Sequence, residues 1–146
     1  MNNPVLATPL PPRPAPRWTK PVLLAAAAYN LLWGAVVVLL PEWTLRVAGI
    51  GASSHPAIWQ CVGMIVGVYG VGYAVAAFDP LRHWPIVLVG LLGKVCGPIG
   101  FLWHAVQGTM PWGLAPTIVF NDLVWWVPFA IILRTAWENA IRARGR

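Results

Sequence analysis

Two charged residues stand inside stretches that are otherwise almost wholly apolar: Lys94 in GLLGKVCGPIGF and Asp122 in NDLVWWVPF. Insertion scales put an unpaired charge in hydrocarbon at about 2.5 to 3.5 kcal/mol, so such groups pair, face a cavity or carry function. An acid and a base at one depth predict an ion pair or a shared-proton pair. As a catalytic set, Asp122 accepts a proton and Lys94 stabilises a developing negative charge. As a structural set, the two fix the register of their helices. Both readings stay open on the sequence alone.

Other polar and aromatic side chains fall at the same level. Asn30 lies as far along its run as Lys94 does along its own, Asn121 adjoins Asp122, and Tyr69 and Tyr73 occupy another apolar stretch. Trp125 and Trp126, one turn beyond Asp122, are placed to wall the same region. The candidate ligand-binding set is therefore Lys94, Asp122, Asn30, Asn121, Tyr69, Trp125 and Trp126, with Asp122 and Lys94 the catalytic candidates. Pro98 follows Lys94 by four and removes the backbone donor of the Lys94 carbonyl; Pro128 does the same to Val124. Freed carbonyls beside buried charges accompany cavities in membrane proteins.

The elements that must position these groups are four apolar runs, about 21–40, 56–78, 85–108 and 114–134. Each has at least 20 residues, enough to cross a ~30 Å hydrocarbon core as a helix. Pro21, Pro56 and Pro85 fall where a helix starts, the turn that tolerates proline. Lys94 is nine residues past Pro85, roughly 13 Å in, and Asp122 eight past Leu114, roughly 12 Å in from the opposite end. Both therefore lie near mid-bilayer, on consecutive antiparallel helices.

Composition agrees. The chain has 146 residues, 58% hydrophobic and only 10% charged, against about 25% charged in soluble domains. The fold class expected is all-α, an integral membrane four-helix bundle with N and C termini cytoplasmic. The orientation rests on Lys and Arg. Eight of them (Arg13, Arg17, Lys20, Arg82, Arg134, Arg142, Arg144 and Arg146) fall on one side, against Arg46 on the other. Trp18, Trp43, Trp59, Trp84, Trp112 and Trp137 fall near the expected interfaces. An inner-membrane, multi-pass location follows as the expectation.

Residues 1–19 are expected as a disordered Pro-rich cytoplasmic tail, 20–136 as the transmembrane domain and 137–146 as a basic cytoplasmic tail. The first apolar run is too long for a cleaved signal peptide and is expected to be retained. The segment 41–50, PEWTLRVAGI, predicts a short helix on the outer surface, with Glu42 and Arg46 at i, i+4 and Trp43, Val47 and Ile50 on one face. A lid over a cavity is its alternative role. Glycines at 63, 67 and 70 and at 90, 93, 97 and 100 make smooth stripes for close helix approach, within one chain or across a homo-oligomer.

Several chemistries are not supported. Cys61 and Cys96 lie in apolar runs, far from CxxC spacing, and are expected as packing residues. His104 has no histidine at matching depth for haem, and no set of three or four ligands suggests a metal. No GxSxG, HExxH, P-loop or GxGxxG stands in a usable context. No basic face with interleaved aromatics lies outside the apolar runs, so nucleic acid is not an expected partner. The basic residues face anionic lipid headgroups instead.

The segments YNLLWGAVVVLLPEWTLRVAGI, WQCVGMIVGVYGVGYAVAAFDPLRHWP, GLLGKVCGPIGF and NDLVWWVPF resemble a group of small bacterial four-helix membrane proteins similar to the DoxX-like class, with no assigned activity. The likeness spans about residues 29 to 129. It implies the four-helix fold, and it implies association with quinone-linked sulfur oxidation or with a membrane redox partner. No catalytic motif maps residue by residue, so no residue role is carried over.

Three functions are compatible with these features. The first is an accessory protein whose central polar pocket binds a small apolar ligand, a lipid or a quinone. The second is a membrane enzyme or redox component using Asp122. The third is a dimeric proton-coupled carrier. No cofactor is evident, and quinone is the one candidate.

Overall fold

Proline marks where the helices begin. Its ring fixes φ and its missing N–H is no loss in a first turn, which has no intrahelical acceptor to offer. The structure is a computed structural model that describes residues 11–51 and 55–144. Its helices are α1 (Thr19–Leu39), α2 (Pro41–Val47), α3 (Pro56–Ala76), α4 (Trp84–Val106), α5 (Ala115–Ile118) and α6 (Val124–Arg144). Pro41, Pro56 and Pro85 occupy the first or second helical position of α2, α3 and α4. No strand occurs among the described residues.

Two glycines stop helices by taking the left-handed conformation. After α2, Gly49 has φ of 76°, with Gly49 N–H bonded to the Arg46 carbonyl and Ile50 N–H to the Leu45 carbonyl. After α4, Gly108 has φ of 70°, with the same pair of bonds to Ala105 and His104. This is the Schellman arrangement, which satisfies carbonyls that a helix end leaves open.

The last apolar run is not one regular helix. A 3-10 turn (Trp112–Leu114) leads into α5, and a π-helical turn (Val119–Leu123) joins α5 to α6. The helix then continues to Arg144, so most of the segment 137–146 expected as a tail is helical.

The Pro-rich tail also needs correcting in part. Residues 1–10 lie outside the described residues. Residues 11–16 have no regular structure, and Arg13 among them is tied to α6. Arg13 N–H donates to Asn139 Oδ1, Asn139 Nδ2 donates to the Arg13 carbonyl, and the Arg13 guanidinium meets Glu138 at 2.7 Å.

Packing follows the small residues. A Cβ placed on Gly34 of α1 would lie 2.5 Å from the Gly63 carbonyl oxygen of α3, and one on Gly70 would lie 2.9 Å from the Ala27 carbonyl oxygen. With 34 opposite 63 and 27 opposite 70, α1 and α3 are antiparallel and nearly touch backbone to backbone. Tyr73 of α3 lies on Gly90 of α4, and Gly72 on Ile86. The glycine stripes are thus largely used inside the chain, although Gly67 and Gly100 have open space where a Cβ would go.

Two apolar clusters result. One, near the end carrying the chain termini, gathers Leu23, Ala26, Ala27, Tyr73, Ala76, Val87, Phe129 and Ile132. The other, near the opposite end, gathers Ala48, Phe101, Ala105 and Leu114. Outward, every long helix shows large apolar side chains, among them Leu32, Val68, Leu102 and Val127. So much exposed hydrocarbon calls for an apolar solvent. Four helical segments, Thr19–Leu39, Pro56–Ala76, Trp84–Val106 and Trp112–Ala143, are long and apolar enough to cross a membrane.

The segment 41–50 forms the short α2, with Leu45 buried and Trp43 and Val47 exposed. Glu42 and Arg46 do not form the ion pair their spacing suggests. Instead the one Thr44 hydroxyl hydrogen is shared between the Leu40 and Pro41 carbonyls, and Oγ1 accepts the Trp59 indole N–H at 2.8 Å, tying α2 to α3.

Candidate functional site

Lys94 is the eleventh of the 23 residues of α4, so its side chain starts from the middle of a membrane-length helix. It is only 4% exposed, and Asp122 only 5%. The two do come to one place, both lining a cavity of about 110 Å³ with Asn30, Tyr69, Gly90, Gly93, Asn121 and Val66. Five of the seven candidate residues are therefore brought together. Trp125 and Trp126 do not line the cavity.

The expected direct pair is not formed. The Lys94 ammonium donates to the backbone carbonyl of Asn121, and no Lys94 nitrogen lies within ion-pair distance of Asp122. The π-helical turn supplies the reason. Within it, Val124 N–H reaches back five residues to the Val119 carbonyl, which loosens the ordinary ladder and leaves carbonyls free for other donors. Trp125 Nε1 takes the Phe120 carbonyl at 3.0 Å and Lys94 takes that of Asn121. The ammonium also lies 5.7 Å from the centre of the Tyr73 ring, within cation–π range.

Asp122 is held from its own element. Asn121 Nδ2 donates to Asp122 Oδ1 at 3.0 Å, and the carboxylate lies over Gly97 of α4, where a Cβ would sit 3.4 Å from Oδ2. Gly97 is thus a seat for the acid as well as part of a packing stripe. Tyr73, fully buried, packs its ring edge-on to Phe129 with centroids 5.1 Å apart and forms the floor below Lys94.

Pro98 stands inside α4 and has no N–H to offer. The Lys94 carbonyl, deprived of its backbone donor, accepts the Trp126 indole N–H at 2.9 Å. Trp126 therefore acts on the site through the Lys94 backbone, as a positioning residue. Trp125 turns away to Tyr29 and Phe129, with ring centroids at 6.3 Å and 6.2 Å. Replacing Trp126 by phenylalanine is expected to cost about 1 to 3 kcal/mol, the range for leaving a buried carbonyl unpaired. The same change in a Pro98→Ala background is expected to cost less, because residue 98 then carries its own N–H. Thermal unfolding of the two pairs in detergent checks this.

Sequence reasoning missed Val66, Gly90 and Gly93 as lining residues, and Gly97 as the seat of Asp122. Their signal was present as the glycine stripe, which reads equally as helix packing.

Other candidates fall away. The ring of His104, an exposed residue in the last turn of α4, lies 3.0 Å from Thr109 Oγ1 through Nδ1. Cys61 and Cys96 are free thiols on exposed positions, so they face outward instead of packing inside. Among the described residues no group of His, Cys, Asp and Glu is placed to hold a metal.

Beside the polar cavity runs an apolar groove of about 680 Å³ between α3 and α4, lined by Met64, Ile65, Val68, Gly72, Pro85 and Val89 among others. Tyr69 belongs to the walls of both. The arrangement offers a charged, hydrogen-bonding recess next to an open apolar groove. Comparison of the chain with known protein families, with curated proteins and with solved structures finds no match.

Proposed function

We propose that the chain is a multi-pass protein of the cytoplasmic membrane, both termini in the cytoplasm, that binds a small amphipathic molecule of the lipid or quinone class. The observation that carries this reading is Tyr69, common to the polar cavity and the apolar groove. A ligand with a small polar head and an apolar body fits such a pair: the head meets Lys94, Asn121 and Asp122, and the body lies between α3 and α4. Pockets that are mostly apolar with a few convergent polar groups are the usual form of small-molecule sites. The orientation rests on the Lys and Arg distribution. A role as an accessory binding protein needs no catalytic set, and none of the usual motifs is present.

Native mass spectrometry of the protein released from mild detergent tests the reading. A stoichiometric bound molecule is expected in the wild type. Its loss is expected when Val68→Trp fills the groove, with no change in folding. Protein that carries nothing, under conditions that preserve its fold, would overturn the reading.

A second reading has one observation in its favour. Asp122 is not neutralised by direct contact with Lys94, so its carboxylate faces the cavity as a ready proton acceptor. On this reading the protein is a redox component or enzyme, and Asp122→Asn abolishes turnover while ligand binding survives.

A further inference from the structure

Two acceptor atoms on residues that line the cavity have no donor among the described residues of the protein. Asn30 Oδ1 and Asn121 Oδ1 are both buried and no protein donor reaches either. The Asn121 carboxamide is fixed in orientation, because only its NH₂ can donate to Asp122 Oδ1. Its oxygen is therefore an acceptor without ambiguity. Asp122 adds a carboxylate with room for up to about four hydrogen bonds, one of them used by Asn121. Beside them stand donors: Lys94, with three protons and one of them on the Asn121 carbonyl, the Asn30 carboxamide NH₂ and the Tyr69 hydroxyl. Asn30 is 2% exposed, so its oxygen lies out of reach of bulk solvent.

Leaving a buried acceptor unpaired costs free energy, and the site returns it to any ligand that supplies a donor. Resting on the amphiphile-binding reading above, we infer that the head group taken by this cavity is a hydroxyl on an apolar body, as in a long-chain alcohol, a phenol or a quinol. A hydroxyl does two things here that a carbonyl or ether does not combine. Its oxygen accepts a hydrogen bond from Lys94, and its O–H donates one to Asn121 Oδ1, Asn30 Oδ1 or Asp122. A quinone or an ester accepts from Lys94 or the other donors and brings no hydrogen to Asn121 Oδ1, Asn30 Oδ1 or Asp122. The volume is consistent with a small head: about 110 Å³ corresponds to three or four waters at roughly 30 Å³ each. The body then passes Tyr69 into the α3–α4 groove.

Discrimination against analogues lacking a hydroxyl is the regime in which hydrogen-bonding sites discriminate most strongly. The test measures binding of 4-nonylphenol and of its methyl ether, 4-nonylanisole, to the protein in nanodiscs with empty nanodiscs subtracted. The two probes differ by one methyl group in place of the donor hydrogen. The phenol is expected to bind at least tenfold more tightly, and the gap is expected to shrink to about twofold in Asn30→Leu and Asp122→Asn. Binding of 1-dodecanol in the same assay extends the class to aliphatic alcohols, while binding of the phenol alone confines it to aromatic ones, and both results support the inference. Equal affinity for phenol and ether would overturn the hydroxyl and leave amphiphile binding standing. Failure of both probes to bind a protein that remains folded would overturn both.

Discussion

Lys94→Met is expected to destabilise the protein by about 3 kcal/mol in detergent micelles, the low end of the range for removing one partner from a buried charged set. The substitution keeps the volume and apolar stem of the side chain, so packing changes little. What is lost is the ammonium that satisfies the Asn121 carbonyl and lies close to the Asp122 carboxylate. Asp122 is then the one charge left in the cavity. Asp122→Asn is expected to cost less, about 1 to 2 kcal/mol, because the ammonium keeps its bond to the Asn121 carbonyl. The double variant should recover at least about 1 kcal/mol relative to the sum, the signature of two charges coupled through a shared cavity. Equilibrium unfolding of the four proteins, followed by tryptophan fluorescence, measures the cycle. A fully additive cycle would show that the two charges are neighbours without being partners.

The same cycle separates structure from function. If the double variant regains wild-type stability and still binds 4-nonylphenol, the charges serve the fold. If it regains stability and no longer binds, they serve the ligand.

Gly34→Ala is expected to lower stability by about 2 kcal/mol, as overpacking of a close contact does. Helix propensity runs the other way, favouring alanine by about 1 kcal/mol in a helix interior. The contact wins because the new methyl would sit 2.5 Å from the Gly63 carbonyl oxygen and 3.0 Å from the Gly67 nitrogen, both of them backbone atoms. A side chain swings aside; a helix backbone moves only as a whole, carrying α3 away from α1 and taking Val66 and Tyr69 out of the cavity wall. Gly67→Ala supplies the control, since nothing lies within 4 Å of its Cβ position. It should be neutral or slightly stabilising. Parallel thermal melts of the two variants decide the matter, and equal effects would place the α1–α3 interface elsewhere.

The helices themselves were legible because their cause is local. In an apolar solvent each backbone polar group must find a partner within its own segment, and a helix is what does so. Runs of 20 or more apolar residues opened by Pro56 and Pro85 therefore gave limits close to those of α3 and α4. The depth of Lys94 and Asn30 was equally available, since rise per residue is constant. Pro98 announced a carbonyl in need of a donor.

Rotation about the helix axis was not available in the same way, because each residue turns the face by about 100° and small irregularities accumulate. The π-helical turn at Val119–Leu123 is the decisive one. It inserts a residue into the winding and presents Trp126, rather than Trp125, to the Lys94 carbonyl. It also exposes the Asn121 carbonyl, which takes the ammonium that charge arithmetic alone assigned to Asp122. Sequence determined that two opposite charges occupy the middle of neighbouring helices among apolar residues. Only the tertiary structure decided which atoms they meet, since that depends on how a backbone irregularity in one helix fits the glycines and the proline of the next.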